Sequence, residues 1–297
     1  MPLYLKAPGG EIRLNGVGLG HTVGIDAVTA STVSGAIAIE GGAHLAPSTE
    51  SQSGSVHIAA GNIEIRSGSR RPRARVRSDS RTDCHAGTVS VRADMLVIEH
   101  AFLTANTFGA GNAGDINISV GGRFLLDGNV DPSEDVTAQG RAGLDVRSRQ
   151  GATGNAGTIH VQASQLDMID RGRMRATAEG NGDGGTIQID GGSLSMTTGA
   201  RIETSTFGLG SVGAIIVDVD ELALSGGAII NEINGVSMAT GGGRIDITAD
   251  TIRLDKNGAD RVKIYSGFTP LRCHGILAHV THLRFRSIPA PASAGIG

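Results

Sequence analysis

Six arginines, Arg70, Arg71, Arg73, Arg75, Arg77 and Arg81, fall within twelve residues of this 297-residue sequence, in the phrase SRRPRARVRSDSR. A guanidinium presents two N–H donors to one sulfate, phosphate or carboxylate, and alternating arginines on an extended loop form a one-sided cationic strip. This run is the candidate site for an anionic ligand, with a solvated loop as the plainer alternative. It lacks the interleaved aromatics on which single-stranded nucleic acid stacks, so nucleic acid is not an expected partner.

Acid and base chemistry would need clustered carboxylates with a basic partner. The best sets are Asp218 with Asp220, about 7 Å apart on one side of an extended strand, and Asp167 with Asp170 and Arg171. There is no adjacent Asp pair and no GHG phrase, and aromatics that could stack a sugar are scarce. These charges are expected to be solvated, and no catalytic residue is assigned.

Calcium has two candidate sites. AEGNGDGG (178–185) has the Gly-Asn-Gly-Asp order of a nonapeptide calcium repeat but occurs once, where such sites need tandem copies. DGNVDPSED (127–135) offers Asp127, Asp131, Glu134 and Asp135 as hard oxygen ligands, yet such loops are usually just solvated. The nine histidines show no paired ligand spacing, although His57 and His160 occupy equivalent outward positions. Cys84 and Cys273 stand far apart and read as incidental thiols. No metal and no cofactor is expected.

The elements that hold these residues follow from glycine and periodicity. Glycine supplies 46 residues, Trp is absent, and only two Tyr and six Phe occur, so turns are frequent and the core is aliphatic. A net charge of −3 gives no global pull toward nucleic acid or an anionic membrane. No apolar run reaches the length of a membrane span, and MPLYLKAPGG lacks a signal-peptide core. Export would therefore require a signal on a longer parent chain.

One phrase recurs, a glycine followed by x-β-x-β with β aliphatic. It begins at Gly54, Gly87, Gly114, Gly157, Gly185, Gly213 and Gly243, with looser copies at Gly10 and Gly35, in a unit near 28 residues. GTIQIDGGSLSMTTGARIETSTFGLGS (185–211) contains three short alternating runs, Ile187/Ile189, Leu194/Met196 and Ile202/Thr204. Glycine corners separate them, where a positive φ costs little. Such strands cannot bury their inner faces alone, and no helical pattern lies between them. They must stack coil on coil. Val56, Val89, Ile116, Ile159, Ile187, Ile215 and Ile245 are predicted to form one interior column, with Gln188, Ser195 and Glu203 facing out. The expected fold is all-β, a right-handed parallel β-helix of about nine coils and roughly 40 Å. Residues 1–50 would form degenerate N-terminal coils, 51–254 the regular repeats and 255–297 an irregular cap or out-of-family tail.

The phrases TANTFGAGNAGDINI (104–118), TGNAGTIHV (153–161) and ETSTFGLGSVGAIIV (203–217) are nearly interchangeable. The chain resembles the filamentous haemagglutinin-like exoproteins of two-partner secretion systems, especially the cyanobacterial type, over about residues 50–254. The resemblance implies a secreted or surface-held adhesive or structural β-helix, exported by an outer-membrane partner transporter; host or surface glycans are the candidate partners of the arginine run. It carries over no catalytic residue, because the motif positions are glycines (Gly109, Gly114, Gly154, Gly157, Gly208, Gly213) and core aliphatics. The amino-terminal secretion domain of that family is not recognisable in residues 1–50. The expectation is a non-enzymatic adhesin or structural segment; the alternatives are a β-helical polysaccharide lyase or hydrolase and a ligand-free spacer.

Overall fold

The computed structural model describes residues 54–67, 74–128, 142–233 and 243–255 throughout. Outside these it describes the strands Leu3–Lys6, Glu11–Gly16, Thr22–Gly24, Val28–Ser31, Ala36–Gly41, His44–Ala46, Lys263–Phe268 and His282–Phe285. Every described element is a strand, and the strands form two parallel sheets of 14 and 9 strands in a β-solenoid. No described helix is long and apolar enough to cross a membrane.

The predicted interior column is present residue for residue. Val56, Val89, Ile116, Ile159, Ile187, Ile215 and Ile245 pair in unbroken parallel register, and none exposes any surface. Burying each such side chain contributes about 1.5–3 kcal/mol, and no helix or second layer is needed. Ile63, Leu96, Phe124, Leu166, Leu194 and Leu222 form a second column. Val76, Leu103, Leu144, Met174, Ile202 and Ile229 form a third, in the second sheet. From Ile116 onward the first two runs of a unit merge into one twelve-residue strand, as in Thr186–Thr197, whereas Val56–Ala59 and Asn62–Arg66, and Val89–Ala93 and Met95–Glu99, stay separate; the third run is the second-sheet strand.

The solenoid has about six turns, fewer than the nine expected. The phase at the amino end also differs from that expected. The looser anchors at Gly10 and Gly35 begin strands that pair with each other and then with Asn62–Arg66, so they belong to the second column. The true continuation of the anchor column is Leu3–Lys6 and Val28–Ser31, which no glycine phrase announces. Beyond Leu254, Lys263–Phe268 joins the second sheet and His282–Phe285 the first, both in parallel register.

The anchor glycines are needed for a reason other than positive φ. A Cβ on Gly87 would meet the carbonyl oxygen of Gly54. The same holds for Gly114 over Gly87, Gly157 over Gly114, Gly185 over Gly157 and Gly213 over Gly185. Glycine follows from the close approach of one coil to the next. Left-handed backbone occurs instead at the corner into the second sheet, at His100, Asp170, Arg171, Thr198 and Gly226. The Asp170/Arg171 pair weighed as a catalytic element is that corner.

Candidate functional site

The cationic residues come together on the outer face of the second sheet. Arg75–Arg77 is not a loop, as expected of the arginine run, but a strand paired with His44–Ala46 and Phe102–Thr104. Its centre, Val76, is fully buried and turns Arg75 and Arg77 outward. Alternation forces this: an inward guanidinium would be desolvated in an aliphatic column. Arg81 follows the buried Ser80 and also faces out. Arg70, Arg71 and Arg73 lie outside the described residues.

Stacking adds arginines that sequence distance conceals. Arg147, Arg149, Arg173, Arg175 and Arg201 project from the same face on later coils. Among the described residues eight arginines thus meet four carboxylates there, Asp79, Asp145, Glu179 and Glu203. The carboxylates are largely engaged. Asp145, almost fully buried, accepts from Arg147 Nη2 at 2.9 Å and from Arg175 Nε at 3.2 Å. Glu179 accepts from Arg147 Nη1 at 2.7 Å and lies 3.6 Å from Arg149. Burial, and then the neighbouring Arg147, pushes the Arg149 guanidinium below its ordinary value. Arg75 and Arg77 make no ion pair among the described residues. Phe108, 41% exposed, sits between Arg81 and Arg149, whose guanidinium carbons are 5.5 and 5.7 Å from the ring centroid. The NTFG phrase (106–109) therefore supplies an aromatic spacer that lies between two guanidiniums. Sequence reasoning missed this face because its members are scattered over 127 positions, from Arg75 to Arg201. The signal was there in the 28-residue step from Arg173 to Arg201.

The other candidates disperse. Asp167 is held by Arg123 at 2.6 Å and by Gln165 Nε2 at 2.9 Å, on the long strand before the corner that contains Asp170. Asp218 lines a hollow of about 340 Å³ with Asp246 and Arg244, the last two paired at 2.8 Å. Asp183 of the single calcium-like phrase accepts the Ser211 N–H at 2.7 Å. It belongs to a stacked series in which His85, Asn112, Asn155 and Asp183 each accept a backbone N–H from the next coil. That series explains the asparagine of GNAG. Among the described residues no three His, Cys, Asp or Glu are grouped to hold a metal. Asp131, Glu134, Asp135 and Cys273 lie outside the described residues; Cys84 is a free thiol.

No family model, curated protein or solved structure matches this chain. What is known of the site is therefore its own chemistry: a rigid parallel sheet presenting a surplus of guanidinium.

Proposed function

We propose that this chain is a non-enzymatic adhesive segment of a secreted or surface-held protein, binding anionic glycans through the outer face of its second sheet. One observation carries the reading. Among the described residues, eight arginines face four carboxylates on one side of a stacked sheet, and Arg75 and Arg77 have no ion pair. A sheet fixed by register loses little entropy on binding, which favours polyvalent contact with a long polyanion. Export through an outer-membrane partner transporter belongs to the same proposal and rests on the resemblance of the STFG and GNAG phrases.

The test is retention on a heparin-like matrix. Binding should weaken steeply as salt rises, since exposed charges are screened over about 8 Å at physiological ionic strength. Replacing Arg75, Arg77 and Arg81 together by Ser should abolish retention while leaving the melting temperature within a few degrees. Retention equal to the parent's would leave the ligand-free spacer as the better reading. Release of unsaturated or reducing ends from pectate or alginate, lost in Asp218→Ala or Asp167→Ala, would favour the lyase or hydrolase.

A further inference from the structure

The outer face of the first sheet carries a second hollow, of about 390 Å³, on a different sheet from the arginine face. Four successive coils line it. His57, Ser90, Asn117 and His160 stand in one column, and Arg92 and Ser119 in the adjacent one. The hollow exists because the middle rungs carry short side chains while the histidines close its two ends, three coil rises or roughly 14 Å apart. Its volume lies at the small-ligand end of the usual range for binding sites.

Two features restrict the occupant. First, the charge is one-sided. No carboxylate lines the hollow, and the neighbouring Asp190 is engaged by His160 Nε2 at 2.9 Å and Gln188 Nε2 at 3.0 Å. Arg92 is exposed and forms no ion pair among the described residues. Ala59 lies beside it one coil away and leaves its guanidinium accessible from that side. The hollow around Asp218 differs, because its Arg244 is already paired with Asp246. Second, Val89–Ala93 is hydrogen-bonded to parallel neighbours on both sides, so an incoming peptide strand finds no backbone group to pair with. Recognition must use side chains: hydroxyls from Ser90 and Ser119, the Asn117 amide and one guanidinium.

We infer that this hollow is a binding subsite for a carboxylate-bearing sugar of an extended glycan. Arg92 takes the carboxylate in a two-pronged hydrogen bond, and Ser90, Asn117 and Ser119 bond the ring hydroxyls. The ligand chain runs along the solenoid axis, where each coil offers a new polar side chain about every 4.8 Å. The site is independent of the arginine face and survives if that reading fails.

The experiment is a calorimetric titration of the whole chain with trigalacturonate and with its methyl ester. The acid should bind and the ester should bind at least about ten-fold more weakly, since a hydrogen bond to a charged group is the stronger kind. Arg92→Gln should remove that preference. Ala59→Gln, which fills the hollow without altering charge, should weaken binding of the acid, with melting temperature confirming that both variants fold. The Ser replacements of Arg75, Arg77 and Arg81 should leave binding unchanged. Equal binding of acid and ester, full binding by Arg92→Gln, or absence of binding to the parent would each overturn the assignment. Binding lost only in the Arg75/Arg77/Arg81 variant would move it to the other face.

Discussion

The two sheets share one register, with Ile159 on Ile187 in the first and Met174 on Ile202 in the second, yet they are made of different materials. The first sheet is aliphatic inside and carries separate ion pairs outside, such as Arg123–Asp167 and Arg244–Asp246. The second begins aliphatic at Val76, Leu103 and Leu144, but its inner face turns to hydroxyls at Ser80, Thr107, Ser148, Thr204 and Thr206. Its outer face carries the arginine–carboxylate network. The second sheet keeps one continuous aliphatic column, from Val76 to Ile229, and sets buried hydroxyls beside it. The second sheet can spend its positions on charge and on polar groups that a self-standing core would reject.

The largest effect should come from breaking the first sheet's column. Ile187→Asp places an unpaired charge between Ile159 and Ile215, and should cost about 4–5 kcal/mol. Gln188→Ala, one residue on and facing out, loses only a hydrogen bond to Asp190, so less than about 1 kcal/mol. Similar losses in chemical denaturation would break the inward and outward assignment.

The second sheet should be most sensitive on its outer face. Asp145→Ala leaves Arg147 and Arg175 facing each other without their shared carboxylate, and should cost about 3 kcal/mol. A loss below about 1 kcal/mol would mean that the network is solvated and contributes as an ordinary surface pair.

Glycine separates the two kinds of turn. Gly185→Ala drives a methyl into the Gly157 carbonyl, so about 2 kcal/mol is expected as coils are pushed apart. Gly151→Ala meets nothing within 4 Å and bears only the strain of its φ of 86°, about 1 kcal/mol. If thermal melts rank the two variants the other way, conformational freedom, and not coil spacing, governs the anchor glycines.

The aliphatic column was legible because period-2 alternation and a recurring glycine phrase fix phase together, as at Ile187 and Ile189. Phase was lost where the phrase is degenerate: GEIRL and GAIAI match it equally well in either half of a bent strand, and only pairing to Asn62–Arg66 decides. The arginine run was legible as charge but not as a strand, since nothing in RARVR distinguishes a loop from a rung whose centre is Val76. The role of Asn112 and Asn155 was hidden for another reason. A side chain that accepts from the next coil's backbone is defined by a partner about one repeat away, which local spacing does not reveal.

The smallest effect has the opposite sign. Thr204 Oγ1 is buried in the second sheet with no hydrogen-bond partner among the described residues, and Ile202 beside it is wholly apolar and equally buried. A hydroxyl desolvated without a partner opposes folding, whereas valine has nearly the same shape and no such group. Thr204→Val should therefore stabilise the chain by up to about 1 kcal/mol, read as a rise in the denaturation midpoint at unchanged slope. Ser205→Ala, which removes a hydroxyl that donates to Thr177 at 3.2 Å, should destabilise, because it breaks a bond that joins two coils. If Thr204→Val lowers stability instead, its hydroxyl is bonded in solution, and the second sheet's interior is a hydrated polar seam where the first sheet's is dry.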